Sequence, residues 1–227
     1  MWISSLRSRF SSSSRTRFRL PRQGRGFTLI ELMVVVVIIT VMTSVLLLQQ
    51  KKFDSSTLLR SLAYSIALTV RQAQVYGTSV RQFNASDTTF SYNYGVFFFS
   101  GSEGASNYYL FADGGGGAPK DNCRAGGTTT GTCSTNSGTE DVQQFKLGPG
   151  YTIVKFCGIA ASGSQTCTPN ISWLTIYFKR PNTDAFFASS AGGTYSSAYI
   201  QISGPGGDTR SITVTSTGQI AVGSLGT

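Results

Sequence analysis

The sequence predicts an α+β protein: a long N-terminal helix, membrane-spanning in its first half, whose second half packs on an antiparallel β-sheet domain. Three observations carry that prediction. Phe27 to Leu48 is a predominantly apolar run of 22 positions in which Glu31 is the only charge. Downstream, Phe53, Leu59, Leu62, Ile66, Val70, Ala73 and Tyr76 recur at intervals of three and four after an initial gap of six, which is one face of an amphipathic helix. After Gly77 the apolar residues fall every second position, as in Leu174, Ile176 and Phe178, the period of half-buried antiparallel strands.

Residues 1–26 form a basic leader. Arg7, Arg9, Arg15, Arg17, Arg19, Arg22 and Arg25 occur there with no acid, and the serine run Ser11 to Ser14 adds nothing a core could use. These seven arginines supply most of the formal charge of +9; the remainder of the chain holds twelve Lys or Arg against ten Asp or Glu, a balance of +2. A basic chain prompts a search for nucleic-acid or anionic-lipid partners. Here the positive charges have a simpler use, since they stay on the cytoplasmic side of an inserted helix and set its orientation.

The run from Phe27 to Leu48 matches the roughly 20 apolar residues needed to cross a bilayer core. No small-residue cleavage site of the secretory type follows it closely, so the segment is expected to stay in the mature protein, with everything beyond it outside the cytoplasm. Residues 27–52 are therefore read as the transmembrane segment and 53–227 as an extracytoplasmic globular domain. Within that domain an amphipathic helix covers 53–76, ended by Gly77, and a β domain covers 79–227. Neither Pro nor Gly interrupts Phe27 to Tyr76, and fifty residues of helix extend roughly 75 Å.

Strands are expected near 79–84, 89–99, 107–112, 141–147, 150–157, 171–179, 184–188, 197–203, 210–215 and 219–222. Loops are expected by composition at Gly114 to Gly117, Gly126 to Ser137, Ser162 to Gln165, Ser189 to Gly193 and Gly204 to Gly207. The roughly 150 residues after the helix suffice for one domain with its own core.

The chain has no histidine, which removes Ser-His-Asp and Cys-His catalysis and most zinc hydrolase sites. Asp113 and Asp121 flank a glycine run but lack the alternating oxygen ligands of an EF-hand, and read as part of a surface loop. Glu140 and Asp141 are the only adjacent acids, and neighbours on a strand point to opposite faces. No catalytic constellation emerges; the chain is read as a non-enzyme with no cofactor and no metal. Arg71, Arg81, Arg124, Arg210 and Lys179-Arg180 are scattered and read as solvated charges, not as the dense stripe of a nucleic-acid surface. Tyr92, Tyr94, Phe97, Tyr108 and Tyr109 read as core residues. Cys123 and Cys133 are separated by nine residues, as are Cys157 and Cys167. Four cysteines allow three pairings, and the local one, Cys123 with Cys133 and Cys157 with Cys167, is chosen for an extracytoplasmic domain. Four free thiols or a Cys-only zinc site are the alternatives. Each local bridge stabilises by roughly 2 to 3 kcal/mol in the chain-entropy picture.

The string Arg25-Gly26-Phe27-Thr28-Leu29-Ile30-Glu31, followed by its apolar run, resembles the class III signal of type IV prepilins and type II secretion pseudopilins. The resemblance implies cleavage between Gly26 and Phe27 by a prepilin peptidase, N-methylation of Phe27, and a role for Glu31 in subunit recruitment. Physical reasons stand beside each expectation. Glycine lets the scissile backbone approach a peptidase closely. Glu31, fifth in the processed chain, is costly in lipid without a partner, and the freed amine of Phe27 on the same or a neighbouring subunit supplies one. The competing reading of Glu31 is a carboxylate favoured by the positive end of the helix dipole.

A second likeness is more local. Leu62 to Val80, together with Arg210 to Val214 and Thr217 to Ile220, resembles GspH/FimT-type minor pseudopilins. The middle of the chain has no such likeness. Two departures stand out: Leu46-Leu47-Leu48 replaces the proline that many pilins carry late in the membrane helix, and a C-terminal basic motif of the kind associated with DNA uptake is absent. The resemblance implies a filament subunit held by membrane lipid before assembly, then joined to other pilin or pseudopilin subunits through an inner-membrane assembly platform. The alternatives are a filament-tip adhesive or DNA-uptake subunit, and a single-pass anchored binding module that never polymerises.

Overall fold

The computed structural model describes residues 26–83, 90–114, 124 and 140–223, leaving aside the side chains of residues 48–53. The described chain contains one helix, α1 (Leu29–Thr78), and ten strands. Two compact units divide at Leu46/Leu47.

Among the described residues, the first unit is Gly26 to Thr28 and the start of α1. Its large apolar side chains between Leu29 and Leu46 are 44–78% exposed on every side, and Leu29–Leu47 has a mean hydropathy of 2.7 over a length able to cross a membrane. A helix apolar around its whole circumference needs an apolar surrounding. Two threonine hydroxyls in the run are satisfied within it: Thr40 Oγ1 donates to the Val36 and Val37 carbonyls at 3.0 and 2.9 Å, and Thr43 Oγ1 to those of Ile39 and Thr40 at 2.8 and 3.1 Å. Such back-bonding satisfies these two hydroxyls without water.

The second unit is the α+β domain. Strands β1 (Asn93–Phe99), β2 (Asn107–Asp113), β3 (Asp141–Lys146), β6 (Trp173–Phe178) and β7 (Ala185–Ser189) form one antiparallel sheet in the order β3-β2-β1-β6-β7. Strands β4 (Thr152–Ile159), β5 (Gln165–Cys167), β8 (Ser197–Ser203), β9 (Thr209–Thr215) and β10 (Ile220–Gly223) form a second, in the order β10-β9-β8-β4-β5. Leu59, Ala63, Ile66, Val70 and Ala73 of α1, at spacings of four and three, enter one core with Val96, Phe98, Leu110, Leu174 and Ile176 of the first sheet and Phe156, Ile200, Ile202, Ile212 and Val214 of the second. Each Val, Leu, Ile or Phe among them removed from water contributes about 1.5–3 kcal/mol, and the helix shares one core with both sheets. Tyr108 reaches α1 through a 3.4 Å hydroxyl contact with Thr69. Burial pushes its hydroxyl above the ordinary tyrosine value, opposed by hydrogen bonds from Thr69 and Ser65.

The two sheets differ in what they cover. In β8 inward and outward residues alternate in burial, the mark of a sheet with one wet face. In β1, β2 and β6 nearly every residue is buried. The second face of those strands carries an aromatic cluster of Phe97, Phe99, Tyr109, Phe111 and Trp173.

Several expectations are corrected here. The helix runs past Gly77 to Thr78, and Gly77 does not end it. A Cβ at Gly77 would stand 2.6 Å from the Phe178 carbonyl oxygen, so the glycine permits the last helical turn to touch β6. Residues 79–83 form no strand, because the chain leaves the helix there without a ladder partner; residue 84 lies outside the described residues. Strand β5 was not expected: Gln165 opens it although its neighbours Ser162 to Ser164 are turn residues, and three residues leave no readable period. Asp113 is the buried last residue of β2, where Asn93 Nδ2 donates to it at 2.8 Å, and is not part of a surface loop. Glu140 precedes β3 and is buried, its carboxylate accepting from the Gly114 amide. Arg124, expected to be solvated, is 2% exposed; its guanidinium lies 3.6 Å over the Tyr109 ring and is ion-paired through two bonds to Asp141. A buried cation requires such a partner.

Candidate functional site

The N-terminal string acquires its geometry from the start of α1. The Thr28 carbonyl accepts from the amides of Glu31 and Leu32 at 3.1 and 3.2 Å, and Thr28 Oγ1 accepts from the Glu31 amide at 3.3 Å. Thr28 is therefore the N-cap and Glu31 the third helical residue, in the first turn. Thr-x-x-Glu in this position is the sequence form of a capping box. The carboxylate stands at the positive end of the helix dipole, as the competing reading of Glu31 required, and that placement does not depend on a second subunit. Phe27 precedes the cap and is 75% exposed.

Gly26 sits just before this cap. A Cβ built on it meets no atom within 4 Å, so nothing within the described chain requires glycine there. The contrast with Gly77, which the fold needs, directs attention to something outside the chain as the reason for Gly26.

Of the four cysteines, the structure brings Cys157 and Cys167 together. They face each other in the β4–β5 ladder and form a disulfide with an S–S distance of 1.97 Å and Cα atoms 4.0 Å apart. Cys123 and Cys133 lie outside the described residues, as does Asp121. Arg71, Arg81 and Lys179 are each engaged locally: Arg71 donates to Gln74, Arg81 lies 3.8 Å over the Tyr76 ring, and Lys179 lies 4.3 Å over Phe186. No group of three or more metal-ligating side chains occurs among the described residues.

One feature escaped sequence reasoning altogether. A cleft of about 460 Å³ opens beside β7, lined by Phe186, Phe187, Tyr195, Asp184, Thr194 and Thr217 among others. Its walls come from three separated loops and a strand edge, and no local pattern in the sequence announces them.

Comparison with known proteins bears on the N-terminal string. The prokaryotic N-terminal methylation motif matches residues 21–47, so this segment carries the signature of the type IV pilin and pseudopilin class. No curated protein and no solved structure matches the chain.

Proposed function

We propose that the chain is a structural subunit of a type IV pilus or type II secretion pseudopilus, a minor subunit of the GspH/FimT kind, made as a precursor and cut between Gly26 and Phe27 by a prepilin peptidase. The observation that carries this reading is the methylation motif over residues 21–47, lying on a helix that is apolar and exposed on every side. The basic leader stays in the cytoplasm, the helix crosses the inner membrane, and the α+β domain is extracytoplasmic.

Membrane lipid covers the side chains of the first half of α1 until the assembly platform extracts the subunit. Helices of neighbouring subunits then take the place of lipid, so that apolar surface is never left in water. Glu31 resists a fully apolar surrounding. The amine released on Phe27, four residues away in sequence, offers the matching charge, and the pair sets the axial register of one subunit against the next. N-methylation keeps that amine cationic. The Thr28 cap fixes the first helical turn, and with it the direction in which Glu31 is presented.

Mass spectrometry of the membrane-extracted protein tests the reading. The expected N-terminus is N-methylated Phe27; an intact leader, or a chain beginning beyond Leu48, overturns it. Glu31→Ala is expected to leave cleavage intact while removing the subunit from sheared filaments. Normal incorporation of that variant would refute the role given to Glu31.

A further inference from the structure

We infer that the cleft beside β7 is a saccharide-binding site. The inference concerns the domain alone and holds whether or not the chain polymerises.

The cleft begins at an open strand edge. Ladder contacts assign alternate residues of β7 to β6: the Ser190 amide donates to Trp173 at 3.3 Å, in register with the pairs Thr175↔Ala188 and Tyr177↔Phe186. In an antiparallel ladder the intervening residues, Ala185, Phe187 and Ser189, turn their backbone groups outward. That outward edge is closed at both ends. The Ala185 amide donates to the Ser216 carbonyl at 2.9 Å, and the Ser189 carbonyl accepts from Gly192 at 3.0 Å. Between them remain one complete rung, the N–H and C=O of Phe187, and a half rung on either side, the Ala185 C=O and the Ser189 N–H. An added peptide strand needs several rungs in succession to bind by its main chain; four backbone groups bounded on both sides suit a compact ligand.

The remaining walls define the chemistry of that ligand. Tyr195 is pre-positioned: a Cβ at Gly158 would lie 2.5 Å from its ring, so the ring rests on the glycine backbone of β4. Its hydroxyl shares a 2.8 Å hydrogen bond with Ser189 Oγ and donates to the Gly192 carbonyl at 2.8 Å. A fixed aromatic wall is thus obtained without ordering cost at binding. Around it stand the exposed carboxylate of Asp184, the hydroxyl of Thr194, that of Thr217, which shares a 2.8 Å bond with Thr215 Oγ1, and the Phe186 ring, itself stacked on Tyr177 with centroids 5.5 Å apart and contacted by Lys179 Nζ at 4.3 Å. Aromatic rings, a carboxylate, hydroxyls and the outward backbone groups of β7 surround a space of about 460 Å³, within the usual size of small-ligand sites. A neutral pyranose presents the complement: an apolar C–H face for a ring, and adjacent hydroxyls that donate to a carboxylate while accepting from an amide. An apolar ligand would leave Asp184 and the Phe187 rung unmatched.

The test uses the full chain in detergent micelles, with lactose, maltotriose, cellotriose and chitotriose as probes. Backbone amide shifts are followed by NMR to millimolar sugar. The expected result is saturable movement of the Phe187, Thr194 and Thr217 amides by at least one probe, with affinity reduced about tenfold or more in Asp184→Asn, where a charged hydrogen-bond acceptor is lost. Asp184 is exposed, so this variant is expected to fold, and its unchanged circular dichroism confirms that. Tyr195→Phe, which keeps the ring, should retain most of the affinity. Absence of saturable shifts with every probe, equal binding by Asp184→Asn, or shifts produced by an extended tetrapeptide but by no sugar would each overturn the inference. The mass of the processed N-terminus is unaffected by any of these outcomes, so the saccharide site and the filament role fail separately.

Discussion

The two halves of α1 share one backbone geometry and differ in every other respect. From Leu29 to Leu46 the side chains are apolar all round and bare. From Leu59 to Ala73 a stripe at spacings of four and three is fully buried, while Tyr64, Leu68 and Val75 on the other side stay exposed. Helical hydrogen bonding is identical in both, so it cannot be what assigns the halves to different surroundings. The arrangement of apolar side chains does that: a full cylinder demands lipid or other helices, and a stripe demands a sheet.

Substitution can break this contrast, and the largest effect comes from a charge. Ile66→Asp places a carboxylate in the core shared by the helix and both sheets, and should cost more than about 4 kcal/mol, enough to abolish a cooperative thermal transition. Val37→Asp, in the bare half, should leave the domain's melting temperature unchanged while opposing membrane insertion by about 3 kcal/mol; equal loss of domain stability from both variants would mean the halves are not distinct. A smaller effect is expected from truncation. Leu59→Ala should destabilise by about 2–5 kcal/mol in urea titrations, whereas Leu68→Ala, at a position 68% exposed, should stay within about 0.5 kcal/mol.

The glycines sharpen the comparison further. Gly77→Ala forces a methyl against the Phe178 carbonyl and should cost about 1–3 kcal/mol. Gly26→Ala, with no atom in reach, should leave the domain's unfolding curve unmoved, and any effect should appear only in N-terminal processing. The smallest effect is one of pH. Tyr108 binds its proton more tightly in the folded protein than in the unfolded chain because burial disfavours the phenolate. Its contribution is complete below the unfolded value of about 10 and is lost as pH rises through the raised folded value. Urea midpoints between pH 8 and 11 should therefore fall at the alkaline end, and the fall should be shallower in Tyr108→Phe.

Where sequence reasoning succeeded, the signal was local and periodic. The stripe in α1 and the alternation in β8 and β9 each repeat over enough residues to be seen without a partner. The methylation motif over residues 21–47 was equally readable, because its signal lies in consecutive residues. Failures cluster where the decisive contact is distant. Arg124 looked like any loop arginine, and only the approach of Tyr109 and Asp141 makes it a buried cation. Gly77 looked like a helix stop, since Phe178 is a hundred residues further on. Strand β5 exists through its pairing with β4. The cleft beside β7 is the extreme case, being assembled from strand edge and loops that share no pattern.

Gln74 ties these distant parts together. Its side-chain amide donates to the Thr183 carbonyl at 2.8 Å and the Gly218 carbonyl at 3.3 Å, across 109 and 144 residues of chain. Tension drawn along the packed half of α1 therefore does not have to travel through the loops in sequence. It passes at once into the connection between β6 and β7 and into the β9–β10 turn, one in each sheet. Helix and both sheets are thereby joined through one side chain.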